Sequence, residues 1–372
     1  MIYLDHAATT PMRSGVLEAM LPFYTNEFAN ASGAYAHGRK IRRAIECARG
    51  ELASLIGADP REILYTSGGT EADNWALTGV VMANQARRRI VVSSIEHHAV
   101  LNTCRFLQSM GIEIIHLGVD AHGCIDPAAA ESVIDNHTLL VSVMMANNET
   151  GMIEPVAQIA EIAHQKGALM HTDAVQAVGH IPVNVKEMGV DLLSLSAHKF
   201  GGPKGIGALY VRKGTRISPL IHGGAQEKGM RGGTENTAAI VGMGEAARLS
   251  SGHMNHEHSM IKGMRDEMMR LIRSSLPSVR INSDPEQCLP GHLHISIPDR
   301  DTSLLLARLD MEGICASAAS ACASGAMERS HVLTAMYPGE SGYADLRFSL
   351  GAENTMDEIN CAVRALAHIV NE

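Results

Sequence analysis

One lysine follows a predicted buried strand in the stretch Ser196-Ala197-His198-Lys199-Phe200. The apolar run at 190–195 predicts the strand, and the glycines and proline at 201–205 predict the turn after it. An amine at such a strand end can reach a bound cofactor and react with it. Most lysines are solvated surface charges, so this prediction depends on what the other strand ends carry.

Two strand ends upstream carry polar groups that complete a cofactor site. His171-Thr172-Asp173-Ala174-Val175-Gln176 ends an apolar strand with an acid and an amide, and Ser67-Gly68-Gly69-Thr70-Glu71 leads from a strand into a helix. The free N–H groups at such a helix start can bind a phosphate. Asp173 would keep a pyridine nitrogen protonated, Gln176 would donate to a phenolic oxygen, and Lys199 would hold an aldehyde. Each feature alone is equally a cap, a turn or a surface charge, but together they predict a pyridoxal phosphate site.

Short apolar runs alternate with helical patterns from about residue 50 to 250. This alternation predicts an α/β fold, with a mostly parallel sheet of the seven-stranded type and helices on both faces. Ligands of such sheets bind at the carboxyl ends of the strands, where the residues named above lie. The predicted strands are 62–66, 89–94, 112–117, 139–145, 168–172, 191–195 and 206–211, with helices at 71–81 and 155–165.

From about residue 251 the pattern becomes that of a smaller α+β domain. We expect a long polar helix, two short strands near 279–282 and 292–297, and helices at 303–312 and 355–370. A chain of 372 residues is long for a single core, which also favours two packed domains.

The composition indicates a soluble globular enzyme. Apolar residues make up 45% of the chain and charged residues 19%, and the net charge of −9 disfavours non-specific binding to nucleic acid or to an anionic membrane. No window approaches the ~18 to 20 apolar residues of a membrane span, and the first residues do not form a secretory signal. We therefore expect a cytoplasmic protein without a nucleic-acid or membrane partner.

The cysteines are odd in number and form no C-x-x-C pair, which argues against a disulfide framework or a zinc ribbon. Cys47, Cys104 and Cys361 fall in helical patterns, where we expect small buried side chains. Cys315 follows a short apolar run that predicts a strand. Cys322 differs, because the tract of small residues at 316–325 has no amphipathic period and predicts a loop.

Short motifs spread along the chain share a pattern with one known family. They are Leu4-Asp5-His6-Ala7-Ala8-Thr9-Thr10-Pro11, Thr66-Ser67-Gly68-Gly69-Thr70-Glu71, Glu96-His97-His98-Ala99-Val100, Asn147-Asn148-Glu149-Thr150-Gly151, Ser196-Ala197-His198-Lys199, Arg231-Gly232-Gly233-Thr234 and Leu346-Arg347-Phe348-Ser349-Leu350-Gly351. Together they resemble the cysteine desulfurases of the class V aminotransferase group over essentially the whole chain. The most telling stretch, Ser320-Ala321-Cys322-Ala323-Ser324-Gly325, is similar to the family's loop with the sulfur-accepting cysteine. Class V relatives that act on other substrates are not expected to carry it.

The resemblance implies a pyridoxal phosphate enzyme of fold type I that converts L-cysteine to L-alanine and forms a persulfide on Cys322. It implies a large cofactor-binding domain over 15–250 and a small domain made of 1–14 and 251–372, which carries the cysteine loop. It also implies a homodimer and a sulfur-acceptor protein, either a scaffold for iron–sulfur assembly or an enzyme of tRNA thiolation.

The resemblance further assigns roles to single residues. His97 would stack on the pyridine ring and move protons, and Arg347 would bind the substrate carboxylate through its planar fork, with Asn148 as a second contact. From the residues alone, His97 is equally a core imidazole and Arg347 equally a structural ion pair. The phosphate ligands implied are Gly69, Thr70, Ser196 and His198, with Thr234 reaching it from the other subunit.

Other interpretations stay open at this point. The enzyme could be a class V lyase or transaminase acting on another amino acid, or a selenocysteine lyase, or the protein could be a sulfur-trafficking docking hub with incidental catalysis. The stretch Arg231-Gly232-Gly233-Thr234 offers no local reason to fold back on its own phosphate site, which favours a shared site in a dimer. The patch of His253, His256 and His258 beside Glu257 lacks fixed partners, and we expect no metal there.

Overall fold

The structure is a computed structural model that describes residues 1–84, 86–318 and 329–372. Its strands are β1 (Ile2–Tyr3), β2 (Ile63–Thr66), β3 (Arg89–Ser93), β4 (Glu113–Leu117), β5 (Thr138–Ser142), β6 (Leu169–Asp173), β7 (Leu192–Ser196), β8 (Gly207–Val211), β9 (Arg280–Ile281), β10 (His292–Pro298), β11 (Ile314–Cys315) and β12 (Tyr343–Ser349). Its α-helices are α1 (Val16–Met20), α2 (Pro22–Thr25), α3 (Ala36–Leu55), α4 (Gly69–Ala83), α5 (His98–Ser109), α6 (Pro127–Val133), α7 (Val156–Gln165), α8 (Val185–Met188), α9 (Thr237–Ser275), α10 (Thr302–Met311), α11 (His331–Met336) and α12 (Met356–Asn371). Short 3-10 turns lie at Pro60–Glu62, Ala197–Lys199 and Gln226–Gly229.

A seven-stranded sheet forms the centre of the fold, in the order β2-β8-β7-β6-β5-β3-β4. Strand β8 runs antiparallel to both of its neighbours, and the other pairs are parallel. Alternate side chains of one strand point to opposite faces, so Val91 and Val141 enter one core while Ile90 and Leu140 enter the other. Both faces are covered by helices, as expected for a parallel sheet. The predicted α/β fold is confirmed.

The sheet strands begin and end within a few residues of their predicted bounds. Among the remaining elements, β9, β10, α10 and α12 are also confirmed. Strand β12 was not predicted, although it is buried along most of its length and pairs antiparallel with β10. The long polar helix expected after residue 251 starts earlier, because α9 runs without interruption from Thr237 to Ser275.

A second apolar core packs around the three-stranded sheet β12-β10-β9. It takes Leu4 from the N-terminal segment, Met268 from α9, Leu346 from β12 and Leu366 from α12. The first half of α9 instead contributes Met243 and its neighbours to the core of the large sheet. The predicted boundary at residue 250 therefore lies inside one helix, and the division into domains stays a prediction.

Of the three cysteines expected to be buried in helices, one is buried and two are exposed. Cys104 is buried in α5, but the expectation of burial is wrong for Cys47 and Cys361, which lie on the exposed faces of α3 and α12.

In the histidine patch on α9, Glu257 makes a bidentate salt bridge with Arg13, at 2.7 Å for each contact. None of the described helices is long and apolar enough to cross a membrane.

A buried ion pair ties α3 to the edge of the large sheet. Arg49 donates to both carboxylate oxygens of Glu227 at 2.8 Å and to the backbone carbonyl of Ile63, the first residue of β2, at 2.8 Å. Glu227 also accepts from the backbone N–H of Tyr65, and the guanidinium of Arg49 lies 4.5 Å from the centre of the Tyr65 ring. Removing one member of such a pair leaves the other charge buried without compensation.

We expect Glu227→Gln to lower the free energy of unfolding by about 3 kcal/mol, because the amide leaves the buried guanidinium of Arg49 without its counter-charge. The matched control is Glu267→Gln, which breaks the exposed i,i+3 pair with Arg270 on α9 and should leave the unfolding midpoint unchanged. Urea unfolding followed by circular dichroism measures both. Equal midpoints for the two variants would show that the buried pair adds nothing.

Candidate active site

An open cavity with an empty volume of about 630 Å³ lies at the carboxyl ends of the central strands. Nine of the predicted site residues line it together with three others, in a set made up of Gly69, Thr70, Asp73, His97, Met144, Asn148, Asp173, Val175, Gln176, Ser196, His198 and Lys199. Strand ends that are distant in sequence thus meet at one edge of the sheet.

The start of α4 forms one end of the cavity. Helix α4 begins at Gly69 after Gly68, and no side chain caps its first turn. Any side chain at 69 would collide with Val175, since a Cβ there would lie 2.7 Å from Val175 Cγ2. The backbone therefore approaches the cavity closely, with its first-turn N–H groups available to an anion.

Asp173 ends β6 and is 5% exposed. Its Oδ1 accepts a hydrogen bond from the backbone N–H of Val175 at 2.9 Å. Burial raises the pKa of the Asp173 carboxyl, while the nearby His97 and Lys199 oppose the rise. A cation placed in the cavity would therefore be stabilised by this carboxylate.

Lys199 ends the 3-10 turn that follows β7, and its Nζ donates to the backbone carbonyls of Ala7 and Ala8. The same Ala7 carbonyl accepts from the side-chain amide of Gln176 at 3.0 Å. Burial, helped by the positive charge of Arg347, lowers the pKa of Lys199 to about 8. The amine is therefore much closer to neutrality at physiological pH than a surface lysine is.

Two histidines are among the residues that line the cavity. His97 is the N-cap of α5, where its Nδ1 accepts from the backbone N–H of Ala99 at 3.1 Å. Its ring is exposed to the open cavity, and the surrounding protein lowers its pKa by desolvation. His198 contacts the hydroxyl of Thr9 at 3.2 Å, and desolvation lowers its pKa to about 4. Both rings are therefore neutral hydrogen-bonding groups at neutral pH.

Arg347 lies on β12 just outside this lining, and it is almost fully buried. It donates to the backbone carbonyl of Asn148 at 2.8 Å and to Asp5 at 2.6 Å. Its Nε has no hydrogen-bond partner among the described residues. The structure thus brings Arg347 next to Asn148. It also shows Arg347 in an ion pair with Asp5, which is the structural role that the residues alone had left open.

Thr234 and Cys322 are the remaining predicted site residues, and Thr234 does not line the cavity of this chain. Thr234 is exposed on the turn before α9. Arg231, in the same stretch, pairs with Glu71 on α4 at 3.0 Å. The expectation that this stretch has no local reason to fold back on the phosphate site of its own chain is therefore wrong for Arg231. Cys322 lies outside the described residues.

Sequence reasoning missed Asp73, which lies one turn after Gly69 on the same side of α4. Asp73 is 1% exposed, and its Oδ1 lies 3.7 Å from His171 Nε2 and has no hydrogen-bond partner in the described chain. Burial and the nearby charge of Asp173 raise the pKa of Asp73 well above its usual range. The helical period from Gly69 was the signal that could have found it.

Glu149 was quoted only as part of a motif, yet its carboxylate is 2% exposed and accepts a hydrogen bond from Ser330 Oγ. Burial raises the pKa of Glu149 to about 7. Its neighbour Asn148 lines the cavity, so this buried acid stands directly behind the cavity wall.

The chain matches the model of the aminotransferase class-V family over residues 2–361. It is 46% identical to the cysteine desulfurase IscS of Dictyoglomus turgidum, over 100% of this chain and 95% of that protein. A solved structure of a NifS-like protein superposes with a TM-score of 0.93 at 35% identity and covers 100% of this chain and 99% of its own. A structure described as SspA in complex with cysteine gives a TM-score of 0.82 at 35% identity, over 95% of this chain and 100% of that one.

The match to the family model spans nearly the whole chain, and the match to the relatives spans nearly all of their length. The fold is the same as in the solved structures. The cavity lies at the carboxyl ends of the parallel strands, where sheets of this type bind their ligands. The chain therefore belongs to the class-V aminotransferase family and, within it, to the cysteine desulfurases.

Proposed function

We propose that this chain is a pyridoxal-phosphate-dependent cysteine desulfurase that converts L-cysteine to L-alanine and transfers the sulfur to Cys322. The observation that carries the proposal is the cavity that joins the amine of Lys199, the buried carboxyl of Asp173 and the uncapped start of α4. The relatives and the family of this chain support the same activity. They do not favour the selenocysteine lyase, the other class V activities or the docking hub.

The residues of the cavity fit pyridoxal phosphate. A phosphate fits at the first turn of α4, beside Ser196 and His198, where the N–H groups have no side-chain cap. A protonated pyridine nitrogen fits at Asp173, whose burial is unfavourable without a positive partner. An aldehyde fits at Lys199, and Gln176 lies beside it on the same Ala7 carbonyl.

When bound, pyridoxal phosphate withdraws electrons from the substrate and so stabilises the negative charge left at the α-carbon by loss of a proton. The residues of the chain supply the proton transfers. Lys199 has a pKa of about 8, so its amine can accept and return a proton near neutral pH, and the neutral ring of His97 lies in the same cavity. Asp173 stays in place as the buried counter-charge, because Val175 fixes its orientation.

The substrate carboxylate is proposed to bind Arg347. The Nε of Arg347 has no partner in the described chain, and Nη2 on the same edge of the fork contacts only Asp5. Arg347 Nη1 is held by the Asn148 carbonyl, which fixes the plane of the guanidinium. An arginine held in this way binds a carboxylate in a bidentate geometry.

Cys322 is proposed as the sulfur acceptor, and the described residues on both sides of its segment lie at the active site. Ser317 pairs through its backbone with Arg347, at 3.2 Å and 2.7 Å, and Ser330 bonds to Glu149. The five residues from Ser317 to Cys322 can span about 17 Å at most when extended. In the transfer, the thiolate sulfur forms an S–S bond with the substrate sulfur as the substrate C–S bond breaks, and the carbon takes a proton to give alanine.

We expect Cys322→Ala to leave cofactor binding intact but to lower sulfide release from L-cysteine, in the presence of a thiol reductant, by at least about 100-fold. The reason is that the variant lacks the nucleophile that takes the sulfur. Alanine and sulfide are quantified in parallel, and mass spectrometry of the wild-type protein should locate the persulfide on the peptide that contains Cys322.

Cys315→Ala is the matched control, since Cys315 is partly exposed at the end of β11 and close in sequence to the same segment. It should keep wild-type activity. Wild-type rates from Cys322→Ala, or a persulfide on Cys315, would refute the proposed role of Cys322.

We further propose a homodimer, in which Thr234 contributes to the phosphate site of the partner. Thr234 is exposed and does not line the cavity of its own chain. Large apolar side chains are concentrated at the surface between residues 12 and 35, where Met12, Leu17, Leu21, Tyr24, Phe28 and Tyr35 are each at least 40% exposed. Such a concentration is typical of an interface rather than of a free surface.

The double variant Tyr24→Glu/Phe28→Glu should shift the protein from dimer to monomer, because it places charges in the proposed apolar interface. Sedimentation velocity measures the mass, which for the wild type should be twice that of the 39.8 kDa chain. Met311→Glu is the control, because Met311 is 86% exposed and lies outside the stretch 12–35. This variant should leave the dimer unchanged. A wild-type protein that is an active monomer would contradict the proposal.

The identity of the sulfur acceptor, whether a scaffold protein or a thiolation enzyme, and the cytoplasmic location stay predictions. The same holds for the two-domain boundary at 250. The second apolar core around β10 and β12 supports that division.

A further inference from the structure

We propose that Glu149 and Ser330 form a positioning pair for sulfur transfer, which holds the flank of the Cys322 segment against the wall of the active site. This inference rests on the proposed role of Cys322 as sulfur acceptor. Neither Glu149 nor Ser330 lines the cavity, so the pair acts through the residues that it holds and not by contact with the substrate.

Glu149 is fixed within a tight turn that follows β5. The side-chain oxygen of Asn147 accepts from the backbone N–H groups of Glu149 and Thr150, at 2.9 Å and 3.0 Å. Asn147 is in turn held by the backbone carbonyl of Ile95 at 3.0 Å. The backbone of this turn is thus anchored on one side, and the Glu149 carboxylate is directed away from it toward Ser330.

Ser330 links this carboxylate to α11. It is 3% exposed and is the N-cap of the helix, where its Oγ accepts from the backbone N–H groups of Val332 and Leu333 at 3.0 Å and 3.4 Å. The hydroxyl proton is then free to be donated, and it goes to Glu149. One hydroxyl therefore both starts the helix and attaches it to the turn.

The pair connects directly to residues of the active site. Asn148 precedes Glu149, lines the cavity and accepts from Arg347 through its carbonyl at 2.8 Å. The helix started by Ser330 packs Val332, Leu333 and Met336 against Ile95 and Met144, and Met144 also lines the cavity. Ser330 and α11 are therefore attached to the same wall that holds the proposed substrate-binding arginine.

A second attachment lies on the other side of the segment. Ser317 pairs with the backbone of Arg347 on β12. Ser317 and Ser330 thus each bond to a residue beside the cavity. Helix α11 is held in addition by its apolar packing and by the contact of His331 with the Glu96 carbonyl at 2.9 Å. Loss of the Glu149 contact removes the bond at Ser330 while the rest of α11 stays packed, which should slow sulfur transfer without preventing the substrate from binding.

The test compares kcat and KM for sulfide release in Glu149→Ala, Ser330→Ala and the double variant. Each single variant should lower kcat at least about tenfold and change KM for L-cysteine by less than about twofold, because positioning affects the transfer step and not binding. The double variant should be no slower than the slower single variant, since both remove the same contact. The early absorbance change on addition of L-cysteine, which precedes sulfur transfer, should keep its wild-type rate.

Conservative variants serve as rescue tests. Glu149→Gln keeps an acceptor oxygen and Ser330→Thr keeps a capping hydroxyl, so both should retain most of the wild-type kcat. Glu154→Ala removes another buried acid, whose one hydrogen bond within the described residues is to the backbone N–H of Ile125. Thr355→Ala removes a hydroxyl cap from α12. These controls report on folding and capping alone and should leave kcat unchanged. If Glu149→Ala does not fold, Ser330→Ala carries the test.

Three results would overturn the inference: wild-type kcat in both alanine variants, multiplicative losses in the double variant, or a rise in KM without a fall in kcat. The failure of this inference is distinguishable from failure of the proposed function. Activity that survives Cys322→Ala contradicts the role of Cys322 itself. Activity that is lost in Cys322→Ala but intact in Glu149→Ala and Ser330→Ala contradicts only the positioning pair.

Discussion

A carboxyl buried at the end of β6 sets the requirements for the rest of the site. Asp173 is 5% exposed, and an ionised acid at that depth is unfavourable without positive charge nearby. Lys199 stands after the neighbouring strand, and β6 and β7 pair with Asp173 opposite Ser194. The same burial that raises the pKa of Asp173 lowers that of Lys199. An acid and an amine whose pKa values are shifted in this way suit a cofactor that carries a cation at one end and an aldehyde at the other.

The two ends of the chain are joined at this site. The N-terminal segment supplies the Ala7 carbonyl to Lys199 and Gln176, and it supplies Asp5 to Arg347. Arg347 lies on β12, close to the C-terminus, and it contacts Asn148 from the large sheet. Changes in the packing of the second core therefore reach the substrate side of the cavity directly, because Leu4 and Leu346 belong to that core. The arrangement explains why a residue so far along the chain can act on a site built from central strands.

The sequence was sufficient for those parts of the fold that local pattern determines. Alternating apolar runs located the strands of the large sheet, and the polar residues at their ends located most of the cavity. Strand β12 was not predicted, although Ala344, Leu346 and Phe348 alternate with polar residues along it. Helix α9 was predicted too short because its two halves pack against different cores. Burial of Cys47 and Cys361 was mispredicted, because both lie off the face that the helical period of their buried neighbours defines. Asp73 and the Glu149–Ser330 contact depend on tertiary neighbours that no local pattern specifies.

We propose that Lys199 is desolvated enough to react with an aldehyde near neutral pH and is the residue that holds the cofactor. Stopped-flow absorbance of cofactor-free protein mixed with pyridoxal phosphate, followed by borohydride reduction and peptide mapping, tests it most directly. The account predicts that the rate of covalent capture rises with pH, is half-maximal near the Lys199 pKa of about 8, labels the peptide that contains Lys199, and is absent in Lys199→Ala. Half-maximal capture near about 10.4, the value of an ordinary lysine, or equal labelling in Lys199→Ala would contradict it.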